Sequence, residues 1–151
     1  MGATKARAAS QIAANGRAVN ARDFETIALA GGARRAKAMA LTHPRYPGID
    51  IPGSVTVVVV PDGDAPNPMP SAHTLAKVAN HLVAVRLIST VLHVVAPTYI
   101  EVKIEADIVV GPTANPQTVR EDLEARLNTF LHPLTGGPDG LGWPVGGNIF
   151  Y

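Results

Sequence analysis

The sequence predicts an α+β domain, a ferredoxin-like β-α-β-β-α sheet with two helices on one face, preceded by a helix and a strand. Three observations predict it. The unbroken Val-rich run Ser54–Val60 has the length and composition of a strand buried on both faces, hence central in a sheet. Residues 99–110 alternate apolar and polar side chains, the period of a half-exposed strand. Two stretches, one after Ser71 and one after Asn115, repeat their apolar residues at helical spacing.

Taken in order, the first element is a helix over residues 21–30. Asn20 caps it, Asp23 and Glu25 sit in its first turns where the helix dipole favours negative charge, and Gly31-Gly32 ends it. Phe24, Ile27 and Ala28 form its apolar face. Residues 34–41 alternate imperfectly and predict a strand. A loop follows, punctuated by His43-Pro44, Tyr46-Pro47-Gly48 and Ile51-Pro52-Gly53, because each proline removes a donor and pushes its predecessor toward extended geometry. After the central strand, Pro61 to Pro70 is a turn-rich excursion. Ser71 then caps a helix carrying Leu75, Val78, Ala79, Leu82 and Val85 on one stripe, which should pack on the sheet. Thr90 to Val95 reads as a short apolar strand. From Tyr99 on, Ile100, Val102, Ile104, Ala106, Ile108 and Val110 share one face against Glu101, Lys103, Glu105 and Asp107, predicting an antiparallel strand of roughly 36 Å. Gly111-Pro112 stops it. Asn115 and Pro116 open a second sheet-packing helix with Val119, Leu123, Leu127 and Phe130 inward.

Composition narrows the function. With 151 residues, 46% hydrophobic and 17% charged, the chain can build a real core, and with few aromatics that core is made of Val, Leu, Ile and Ala. The absence of cysteine excludes disulfides and thiolate-ligated metals. Charge is uneven: eight basic residues against two acidic ones lead up to Arg45, and five against ten follow. A basic leading segment of this kind predicts contact with acidic protein surface. Nucleic acid is not an expected partner, since no aromatic side chains interleave the basic residues. The residues before Asn20 lack the apolar stretch of a secretory signal, and the longest apolar run, Val55–Val60, is far too short to span a bilayer. A soluble protein without a membrane partner is expected.

No catalytic centre is expected either, so the chain is read as a non-enzyme with no cofactor and no metal. His73 and His81 stand eight apart without an i+4 partner, His93 lies within an apolar strand, and His132 sits at a helix end where a cation would satisfy the last carbonyls. Asp62-Gly63-Asp64 lacks the downstream Glu of a calcium loop. The glycine-rich tract from Gly136 to Gly147 lacks the Lys-Ser/Thr ending of a phosphate loop and follows a helix where such loops follow a strand. Glu121 and Asp122 are adjacent and point to different faces of a helix, so they cannot share acid/base work. There is no nucleophile elbow.

The glycine-rich tract also carries a family likeness. The run Phe130-Leu-His-Pro-Leu-Thr-Gly-Gly-Pro-Asp-Gly-Leu-Gly-Trp-Pro-Val-Gly-Gly-Asn-Ile-Phe-Tyr151 resembles the signature near the end of baseplate assembly proteins of the baseplate J-like family. The stretch from Arg17 to Ala28, and Val57 to Pro61 followed by Pro68-Met-Pro-Ser71, are similar to other segments of that family. Val145 and Gly147 depart from its pattern, standing where an aromatic and a charged residue are expected. The resemblance implies a wedge component of the baseplate of a contractile phage tail or phage-tail-like injection system. Its partners would be copies of itself and other baseplate subunits, with spike, tube or sheath proteins; it would be cytoplasmic during assembly and then part of a virion or injection particle.

The expected organisation is a basic arm over residues 1–19, an α+β assembly domain over 20–135, and a Gly/Pro-rich loop over 136–151 that begins a truncated C-terminal segment. The expected interface comprises Trp143, Phe150 and Tyr151, with Arg34, Arg35 and Lys37 facing acidic surface, because Trp, Tyr and Arg dominate interface energetics. Trp143 serves equally well as a plug for the chain's own core. A reading from a different class is a small-ligand or nucleotide-binding α+β domain, since ferredoxin-like sheets often carry such sites.

Overall fold

The computed structural model describes residues 17–146. They form two compact units, one of residues 17–63 with 68–97 and the other of residues 64–67 with 98–146.

The first unit begins with α1, Ala21–Ala30. Its start is a reciprocal capping box: the Asn20 side chain accepts from the Asp23 amide at 3.0 Å, and the Asp23 carboxylate accepts from the Asn20 amide at 3.1 Å. At its end Gly32 adopts φ +112°, a conformation that costs glycine nothing. Gly31 has a different use. A Cβ there would stand 3.2 Å from Val78 Cα, so the missing side chain is what lets the following helix approach.

Three strands make the sheet: β1, Arg35–Ala40, β2, Ser54–Val60, and β3, Val91–Val95, in the order β1-β2-β3. β1 pairs antiparallel with β2, and β2 pairs parallel with β3. α2, Ala72–Val83, capped by Ser71, makes the crossover between β2 and β3. The central place expected for Ser54–Val60 is therefore observed. β2 and β3 are direct neighbours, whereas the split β-α-β unit of a ferredoxin-like sheet holds another strand between them.

Register assigns the two faces of the sheet. Ala36 and Ala38, Val55, Val57 and Val59, and Leu92 and Val94 lie on one face, packed with Phe24 and Ala28 of α1 and Val78 and Leu82 of α2. The two helices on that face are thus α1 and α2, not the expected pair of α2 and the helix after Asn115. On the opposite face lie Lys37, Met39, Thr56, Val58, His93 and Val95. The loop after β1 folds onto this face. Its Thr42 carbonyl accepts from the hydroxyls of both Ser54 and Thr56 at 2.8 Å, which satisfies two buried polar side chains at once.

The second unit contains α3, Pro116–Leu131, capped by Asn115 with Pro116 in its first turn, as the sequence predicts. Two expectations fail here. Residues 99–110 belong to no strand among the described residues. An alternating sequence offers one apolar face, but pairing needs an adjacent strand to accept its backbone, and none is provided. α3, in turn, buries none of its residues: Val119, Leu123 and Leu127 are half-buried and Phe130 is exposed. With no sheet in this unit, α3 has no apolar face to cover, and its exposed pairs Arg120–Glu124 and Arg126–Asp122, at i and i+4, support it locally.

Candidate protein-protein interface

The loop after α3 is built around two carbonyls. Phe130 O accepts from the Gly137 amide at 2.8 Å and from Trp143 Nε1 at 2.9 Å, while Pro133 O accepts from the Trp143 amide at 3.1 Å. Trp143 and Phe130 also meet edge to face, with ring centroids 5.4 Å apart. Gly136 and Gly142 make this closure possible, because Cβ atoms there would lie 2.1 Å from Phe130 O and 2.5 Å from Pro133 O. Leu134, 5% exposed, is the loop's buried apolar anchor.

His132 pins the loop from below. Its Nδ1 accepts from the Thr135 hydroxyl at 2.9 Å and from the Leu134 and Thr135 amides at 3.3 Å, which leaves Nε2 as the donor to Ala65 O at 3.1 Å. The ring therefore accepts amide hydrogens; the expected role of a cation on the last helical carbonyls is not what it performs. Trp143 is half-buried and donates its indole N–H to the last turn of α3.

The expected basic residues belong to the first unit. Arg34 stands 3.7 Å from Asp62 and Lys37 stands 3.6 Å from Glu25, so both meet acidic groups of their own chain. Arg35 begins β1. Phe150 and Tyr151 lie outside the described residues.

One exposed apolar stretch is a segment the sequence read as part of a sheet. Ile100 is 87% exposed, Val109 98%, and Val102, Ile104 and Ile108 about half exposed. The segment runs from Ala96 to Val110 without helix, turn or bend.

A second feature escaped sequence reasoning altogether. On the loop-covered face of the sheet, the His93 ring packs edge-on to His43 at 4.3 Å, and His43 in turn packs on Tyr46 at 5.0 Å. His93 Nε2 is buried without a hydrogen-bond partner. Nothing in the alternation of β3 says that a loop fifty residues earlier in the chain closes over that ring. Burial holds its pKa below the ordinary imidazole value of 6.5, with His43 and Arg45 adding to the depression. The unfolded chain thus binds this proton more readily than the folded one. Stability is retained above pH 6.5 and is lost as pH falls below it. Melting temperatures measured from neutral pH into the acid range should fall less steeply for His93→Phe than for the parent protein; equal slopes would remove His93 as the cause.

Among the described residues no three His, Asp or Glu side chains group as a metal site, and no helix is long and apolar enough to cross a membrane. The geometry defines the class: α+β, with a three-stranded mixed sheet and three helices. No protein-family model matches the chain, and no curated protein is significantly similar to it.

Proposed function

We propose that this chain is a structural wedge component of the baseplate of a contractile phage tail or phage-tail-like injection system, acting through protein-protein contacts and not as an enzyme. Its partners are copies of itself and other baseplate subunits, with spike, tube or sheath proteins beyond them. It assembles in the cytoplasm and ends in a virion or injection particle, and the role calls for no cofactor, nucleic acid or membrane.

The observation that carries an assembly role is the row Ile100, Val102, Ile104 and Ile108, exposed on a segment that belongs to no sheet. Contiguous apolar surface of that kind marks an interaction site. The baseplate assignment is supported by the resemblance of residues 130–151, whose glycine spacing has a steric purpose at Gly136 and Gly142. The pair Arg34–Asp62 is solvent-exposed, worth little by itself, and can be exchanged for an acidic group on a neighbour.

Deletion of the coding sequence from cells that carry it, followed by electron microscopy of induced lysates, tests the role. Contractile particles should be absent or should lack baseplates. Normal particles in normal number would defeat the proposal.

A further inference from the structure

Residues 100–110 have the makings of a β-strand and lack a sheet. They alternate from Ile100 to Ile108, run without turn or bend, and leave much of their apolar row exposed. Such a segment is satisfied by addition to an open sheet edge, where backbone hydrogen bonds supply affinity and the apolar row supplies the match.

The sheet has two edges, and they differ. On β1 the register turns the Ala38 amide outward, and the Glu25 carboxylate already accepts it at 3.1 Å, with Lys37 Nζ 3.6 Å from the same oxygen. An incoming strand would have to displace that carboxylate. Among the described residues, no side chain accepts from an outward amide of β3 in this way. The Val91 amide donates to Gly53 O at 2.8 Å, so Val91, His93 and Val95 direct their backbone groups toward β2, while Leu92 and Val94 direct theirs to the outer edge. The side chains of Leu92 and Val94 lie on the helix-covered face, partly buried against the core. A strand added there with its Ile and Val row on the same side would extend that core, and its carboxylates would fall on the opposite face.

A strand returning to β3 within one chain would have to reverse direction soon after Val95. No turn or bend occurs between Ala96 and Val110, and Pro97 biases Ala96 toward extended backbone. Without a reversal the acceptor that the donor fits is the β3 of another molecule. Donor and acceptor lie on the same chain, so a reciprocal exchange closes a twofold dimer with no strand or β3 edge left over.

We propose that residues 100–110 of one copy add as a fourth strand to β3 of a second copy, and reciprocally. The inference deepens the assembly role above by naming its first partner as a second copy of this chain.

Light scattering of the purified chain over a concentration series tests it together with two sets of variants. The mass should rise to twice that of one chain. Ile104→Pro, which removes a strand N–H at an exposed position, should return it to a monomer with unchanged circular dichroism. The chain has no cysteine, so single-cysteine variants report cleanly. Val91→Cys mixed with Glu101→Cys, Lys103→Cys, Glu105→Cys or Asp107→Cys should give a mixed disulfide dimer with at least one of the four, and Ile104→Pro should abolish it. A monomer at every concentration, or a dimer that survives Ile104→Pro, overturns the exchange. Because the baseplate role is read from particles in cells, it stands or falls separately: particles that need the chain while the purified protein stays monomeric would sink the exchange alone.

Discussion

Replacing Leu82 with Ala should destabilise the unit of residues 17–63 and 68–97 by about 3 kcal/mol, within the usual span of about 2–5 kcal/mol for a buried Leu. Leu82 is fully buried in α2 and packs in one cluster with Phe24 and Ala28 of α1 and Val57 and Val59 of β2. The void cannot easily collapse. α2 is held close to α1 by the contact of Gly31 with Val78, and β2 is fixed by strands on both sides. Urea denaturation followed by far-ultraviolet circular dichroism should show a lower midpoint with an unchanged slope. The single tryptophan, Trp143, lies in the other unit, so its fluorescence reports that unit independently. A cost below about 1 kcal/mol would mean that Leu82 is not at the centre of this core.

Gly142→Ala should disrupt the loop after α3, at a cost of about 3 kcal/mol or more when overpacking and backbone strain combine. The residue adopts φ +82°, and its Cβ would lie 2.5 Å from Pro133 O and 2.6 Å from the Leu134 carbonyl carbon and oxygen. These are backbone atoms, so no flexible side chain can move aside. Pro133 O is also the acceptor for the Trp143 amide, and its displacement would reach the indole directly. Trp143 emission should shift to the red and the near-ultraviolet dichroism of the loop should vanish. Gly146→Ala is the control: it shares a positive φ of +73° but meets nothing within 4 Å, so only the conformational penalty of about 1–2 kcal/mol applies. Equal effects at the two positions would remove the steric account of the motif.

The contrast between those glycines marks where sequence reading reaches its limit. Both are legible as turn residues, since any left-handed position favours glycine. That Gly142 faces the Pro133 carbonyl while Gly146 faces open space depends on how the chain returns over the end of α3. Trp143 is similar: the sequence marked it as an interface residue or a core plug, and the structure shows it packed on Phe130 at the end of α3. The basic residues Arg34 and Lys37 were legible as ion-pairing groups, but their partners Asp62 and Glu25 came from the chain itself. His93 was visible only as a polar residue in an apolar strand. Its burial follows from a proline-rich loop whose landing place no local pattern encodes.

By itself the sequence determined the local elements: where α1, α2 and α3 begin, which segments form β1, β2 and β3, and which residues share a face. Capping, glycine stops and apolar periodicity act over a few residues, so the information lies beside the element it shapes. Only the tertiary structure decided which strands are neighbours, that α1 joins α2 on the sheet, and that the strongest alternation in the chain, residues 100–110, stays outside it. An alternating segment specifies a face to bury but not the edge that will receive its backbone. That edge is a property of distant residues, or of another molecule, and pairing waits on it.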